Sequence, residues 1–184
     1  IERAAREARY QVFAALTQAD EVLLTGQHRD DQAETMLFRL LRGAGVSGLA
    51  GMPRQRRLGD GDMCRPLLDV SRTALENYAH AHGLNWVEDP SNAHSDFSRN
   101  YLRHEVLPIL TRRWPQAAAT LARSAAHCAE AQGLVDELAG QDLGGARTDT
   151  AFAWLGLPSL ELAPIARLSP ARQRNALRHW LAHL

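Results

Sequence analysis

Three carboxylates, Asp30, Asp31 and Glu34, crowd the first turn of a helix that then turns apolar in GQHRDDQAETMLFRLLRGAG, Gly26 to Gly45. With Asp30 at 0° on a wheel of ~100° per residue, Glu34 falls near ~40° and Asp31 near ~100°. Leu41 and Phe38 share that sector further along, so the carboxylates face the same way as a partly buried flank. A helix N-terminus favours anions for its own sake, and Asp31-x-x-Glu34 reads as a capping box. Two other chemistries want the same residues. Mg²⁺ takes one or two carboxylates plus phosphate oxygens, which puts Asp31 forward as a Mg²⁺ ligand, and a cationic amino group would be held equally well. The cluster follows an apolar run, EVLLT (Glu21 to Thr25), and a loop containing His28. In open α/β sheets ligands bind at that carboxyl end of a strand, so His28 and Asp30 join the candidate nucleotide-binding residues.

Arginines supply the opposite charge. All 21 basic residues are arginine and none is lysine, which excludes a Walker-type loop lysine and a Schiff-base lysine. Arg99 and Arg103 stand at i and i+4 on one helical face, where an arginine pair suits phosphate backbones or a leaving pyrophosphate. Residues 97–123 hold five arginines against the single acid Glu105, making Arg103, Arg112 and Arg113 candidate contacts to nucleic acid phosphates. The run RGAGVSGLAG lacks the lysine and following helix of a phosphate loop and reads as a helix stop and connector, although Arg42, just before it, is placed to reach a phosphate.

The elements that must position these residues follow an α/β grammar. A helix is predicted over 1–18, a buried strand at Glu21 to Thr25, and a helix over Asp30 to Arg42 ended by Gly43. A hairpin with its turn near Gly59–Asp60–Gly61 comes next, then a helix from Arg72 to His82, capped by Ser71 and stopped by Gly83. EDPSN (Glu88 to Asn92) marks a turn. Beyond it the pattern becomes helical: Arg99 to Arg113, Pro115 to Leu138, and a last helix from Ser169–Pro170. The division is placed at residues 1–110, α/β, and 111–184, mainly helical.

At 184 residues and 45% apolar content the chain is long enough for a sizeable core. Zero formal net charge makes no global demand for nucleic acid. Cys64 and Cys128 form no CxxC pair, which fits a reducing compartment and neither a disulfide framework nor a zinc site. No run approaches the ~20 residues of a membrane span. Ile1 is not a start methionine, and the chain reads as a fragment that opens inside a helix.

Taken together, GQHRDDQAETMLFRLLRGAGVSGLAGM, RPLL, EDPSN and RNYLRHEVLP, with AAREARY before them and LELAPIARLSPARQRNALRHWL after, resemble the tRNA(Ile)-lysidine synthetases. That resemblance covers nearly the whole chain. It implies a partial N-type ATP-pyrophosphatase (adenine nucleotide hydrolase-like) parallel-sheet core followed by a helical, tRNA-contacting domain. The implied reaction uses ATP and Mg²⁺ to adenylate the wobble cytidine of a CAU-anticodon tRNA(Ile) at C2, where L-lysine then displaces AMP to give lysidine. The family's acidic motif falls on Asp31 and Glu34 with Asp30 beside them, and its functional arginines fall on Arg6 and Arg99. Gln27 departs from the pattern, since many members carry a second histidine there. The family's pyrophosphate loop would precede residue 1 and its usual C-terminal domain would follow Leu184, so the piece alone is expected to be inactive. A cytoplasmic enzyme is implied, with room for a homodimer. The rival readings are another N-type pyrophosphatase such as a tRNA thiolase, which would often need the paired cysteines missing here, and a non-catalytic RNA-binding module, which the acidic helix start disfavours.

Overall fold

The computed structural model describes residues 2–87, 98–146 and 158–184. The chain divides into two compact units, Ile1–Ala129 and Glu130–Leu184. The EDPSN turn lies outside the described residues.

In the first unit, helix α1 (Glu2–Leu16) runs into strand β1 (Val22–Leu24), and residues 25–28 carry the chain to α2 (Arg29–Leu40). A four-residue helix, α3 (Val46–Leu49), sits inside the glycine run expected to be irregular throughout. Its regularity is imposed from α2: the Arg39 guanidinium donates to the carbonyls of Gly48 and Gly51, both at 2.8 Å. Strands β2 (Gln55–Leu58) and β3 (Gly61–Cys64) form the expected hairpin. Gly59 at its turn has φ +60°, and a Cβ there would run into the backbone of Ala14 on α1. The sheet is mixed, in the order β1-β3-β2, with β1 parallel to β3 (Val22 opposite Asp62, Leu24 opposite Cys64) and β2 antiparallel to it. Glu21 to Thr25 is therefore an edge strand among the described residues rather than a buried one. With one side unpaired, Val22 and Leu24 are 52% and 65% exposed.

Helix α2 is the buried centre of this unit. Ala33 and Met36 are buried in this unit, as are Met52, Leu58, Met63 and Leu68, and burying each larger side chain contributes about 1.5–3 kcal/mol. Buried Gln32 accepts from Met52 N at 2.7 Å and donates to Met52 O at 3.0 Å, tying the loop after α3 to the helix. Helix α4 (Arg72–Ala81) begins as expected, with Ser71 Oγ accepting from Ala74 N at 3.1 Å.

The helix expected at Arg99 to Arg113 is present but not uniform. It opens as α5 (Ser98–Tyr101), widens to a π turn over Leu102–Val106, and resumes as α6 (Leu107–Arg113). Pro108 has no N–H to donate back to residue 104, so the ordinary α pattern is interrupted there. Helix α7 (Ala117–Gly144) outruns its expected end at Leu138. In the second unit Leu143 and Ala146 pack with Ile165 of α8 (Leu162–Ala166) and Ala176 of α9 (Pro170–Ala182). Arg172 of α9 pairs with Asp142, and Asn175 donates to Val135 O at 2.7 Å. No helix of the described residues is long and apolar enough to cross a membrane.

Candidate active site

The loop between β1 and α2 ends at His28, the N-cap of α2. Its N–H donates to Asp31 Oδ2 at 3.0 Å, so the capping contact joins His28 and Asp31 rather than Asp31 and Glu34. Glu34, one turn on, is 1% exposed and turns inward with Gln32, Ala33 and Thr35. The three carboxylates divide between two arginines. Asp30 Oδ2 accepts from Arg72 N at 2.9 Å and so caps the N-terminus of α4. Asp31 Oδ1 accepts from Arg103 Nη2 at 3.0 Å. Both Glu34 oxygens accept from Arg103, Oε1 from Nε at 2.6 Å and Oε2 from Nη2 at 3.0 Å. Arg103, expected on tRNA phosphates, has its guanidinium drawn inward to these carboxylates. Burial pushes the Glu34 carboxyl above the usual carboxylate range; the Arg103 guanidinium pulls it back and the charge of Asp31 adds to the rise.

Arg99, one turn before Arg103, donates to Thr35 Oγ1, and Thr35 in turn donates to Asp31 O at 2.7 Å. Arg99 also lines a cavity of about 290 Å³ with Ala5, Arg6, Arg9, Tyr10, Gln27 and Met52. Both functional arginines expected from sequence, Arg6 and Arg99, thus meet at one cavity, and Arg99 links it to the acidic cluster. The cationic field extends inward. Burial lowers the pKa of Arg39, and the charges of Arg99 and Arg6 lower it further.

Of the other candidates, His28 stays against this cluster, and Arg42, Arg112 and Arg113 do not contact it. His28 has its ring nitrogens 3.8 Å from Asp30 Oδ2 and 3.5 Å from Asp31 Oδ2, and its Nδ1 is buried without a hydrogen bond. Arg42 stacks over Phe38 with its Cζ 5.0 Å from the ring centroid, in a different cleft of about 640 Å³ lined also by Leu41, Tyr101 and Leu102. Arg112 and Arg113 are exposed at the end of α6, and Arg113 lies 5.5 Å from the Trp114 ring centroid. Sequence reasoning missed Tyr10, Arg9 and Arg65. Tyr10 lies within AAREARY, and its arginine-rich setting was the available signal. Arg65 carried none, because only the fold buries it.

These carboxylates form no all-protein metal cage among the described residues. Asp31 and Glu34 direct their oxygens at Arg103 and the His28 N–H, and no group of three or more ligating side chains occurs among the described residues. What the arrangement offers is an acidic cluster bridged by an internal guanidinium, beside a small cavity walled by arginine. That juxtaposition can hold a cationic amine next to a polyanion.

Residues 1–110 match the PP-loop domain family. The chain belongs to that family. Residues 160–184 match the TilS substrate binding domain, so the PP-loop segment is followed by α8 and α9 in a second recognised unit. The chain is 67% identical over 184 residues to a tRNA(Ile)-lysidine synthase of Pseudomonas fluorescens (100% of this chain, 42% of the relative). It is 65% identical to that of Pseudomonas syringae pv. tomato (100% of this chain, 41% of the relative). To that of Coxiella burnetii it is 51% identical over 181 residues (98% and 38%). The chain thus spans about two fifths of the length of these curated relatives.

Proposed function

We propose that the protein containing this chain uses ATP to ligate L-lysine to C2 of the wobble cytidine of CAU-anticodon tRNA(Ile), through an adenylated tRNA, forming lysidine. The observation that carries the reading is the arginine bridge between two sites: Arg103 on Asp31 and Glu34, and Arg99 from Thr35 to the cavity it shares with Arg6. The name the relatives carry, tRNA(Ile)-lysidine synthase, supports the substrate assignment.

On this reading Arg6 and Arg99 offset the charge of the ATP phosphates, and Asp31 and Glu34 receive the ammonium of lysine. Arg103 holds those two carboxylates in place before the amine arrives. His28 shapes the loop around the nucleotide, Asp30 caps α4 beside it, and Arg42 lines a neighbouring cleft. Arg112 and Arg113 contact tRNA phosphates, so that residues 1–110 are the catalytic part and 111–184 the tRNA-contacting part. Catalysis is then positioning plus charge neutralisation. Mg²⁺ would accompany the ATP phosphates and supply further neutralisation. A cytoplasmic enzyme, with a homodimer as one assembly, belongs to the same proposal.

The test uses the full-length protein carrying Asp31→Asn or Glu34→Gln. AMP release in the presence of ATP, lysine and tRNA is expected to fall by about 100-fold or more, the scale of losing a positioned electrostatic group. Wild-type turnover in both variants would remove the carboxylates from the chemistry.

A further inference from the structure

Arg65, just past β3, is 3% exposed, yet no carboxylate pairs with it among the described residues. Its Nη1 donates to Pro53 O at 2.6 Å, and its Nε is buried without a partner. A buried charge is ordinarily paired, because isolated burial costs several kcal/mol. The Tyr10 phenol stands close enough for the charge of Arg65 to lower it. Two further guanidinium groups stand by the same ring, Arg6 with Cζ at 5.6 Å and Arg56 with Cζ at 5.2 Å from the centroid. Burial alone would push the Tyr10 phenol up, but Arg6, Arg65 and Arg56 together bring it below its ordinary value. Tyr10 also lines the 290 Å³ cavity that Arg6, Arg9 and Arg99 share.

A phenol among guanidinium groups keeps its own proton to donate. Polarised in that way, it makes a stronger bond to an anion than to a neutral acceptor. The cavity is too small for a whole nucleotide and is walled by three arginines with no acidic side chain in its lining. Those features select a group that is compact, oxygen-rich and multiply anionic.

We propose that Tyr10 is a further phosphate-binding residue, whose hydroxyl donates a hydrogen bond to a phosphoryl oxygen held between Arg6, Arg9 and Arg99. This rests on the ATP-dependent reading above. The shared chemistry is a phosphoryl group, and its two sources are the polyphosphate of ATP and the backbone of tRNA.

Tyr10→Phe removes the hydroxyl and leaves the ring under Arg6 and Arg56. In the full-length protein, calorimetric titration with ATP, with inorganic pyrophosphate and with tRNA(Ile) reads the two sources separately. Tyr78→Phe, at an exposed phenol on α4, serves as the control. The expected result is about tenfold weaker binding of ATP and pyrophosphate in Tyr10→Phe alone, at an unchanged melting temperature. Weakening confined to tRNA would also support the phosphate site and assign it to the backbone. Unchanged affinity for all three probes, with the wild type binding them, would overturn the role of Tyr10 and leave the ATP-dependent reading standing. A wild type that binds none of them would overturn both.

Discussion

Arg103 and Glu34, 69 positions apart in the chain, meet in a two-point contact, Nε to Oε1 at 2.6 Å and Nη2 to Oε2 at 3.0 Å. The Glu34 side chain is almost fully buried and that of Arg103 is a quarter exposed. The pair therefore joins α2 to the π turn through a largely desolvated ion pair rather than a surface one. Removing one partner leaves the other charged and hidden, which typically costs 3–5 kcal/mol, and the exposure of Arg103 places it near the low end. Arg103→Gln is expected to destabilise the full-length protein by about 3 kcal/mol in urea unfolding. Arg103→Lys keeps the charge but cannot make the two-point contact, and should retain more stability while losing at least about tenfold in turnover.

Glu34 also sets a pH dependence. Its carboxyl is raised in the folded protein, by burial first. A raised folded pKa means the native state holds a proton that the unfolded state has released. The associated stability is present below the ordinary value of 4.5 and is lost as pH rises through the folded value. Glu34→Gln removes this loss. Urea unfolding of wild type and variant across that window should show the stability difference moving toward the variant as pH increases; a constant difference would contradict the assignment.

Asp30 is bound to the N-terminus of α4 through the Arg72 N–H. Asp30→Ala is expected to lower stability by about 1 kcal/mol, the cost of a lost cap, while turnover stays within about twofold. A large drop in turnover at unchanged stability would return Asp30 to the nucleotide.

Arg112 and Arg113 stand exposed at the end of α6. Changing both to Gln should weaken tRNA binding and reduce the slope of log affinity against log salt by about two if each neutralises a phosphate. An unchanged slope would exclude them as phosphate contacts.

Local rules account for much of what the sequence alone determined. The hairpin turn at Gly59–Asp60, the Ser71 cap of α4 and the proline-led start of α9 depend on neighbours within a few residues, so the relevant physics is written in a short window. The crowding of Asp30, Asp31 and Glu34 at a helix start was legible for the same reason, as was the family to which the chain belongs. Only the tertiary structure decided what each carboxylate does. Asp30 turned to α4, Asp31 was shared between its own loop and Arg103, and Glu34 was buried against Arg103, because Arg72 and Arg103 lie 42 to 72 positions away from them and no spacing rule connects them. The exposure of β1 likewise depended on which strands stand beside it, since an apolar run reads the same at an edge as at the centre of a sheet. Arg65 is the plainest case. In sequence it is one arginine among 21, and only the packing of α1 over the hairpin makes it a buried cation with a phenol for company.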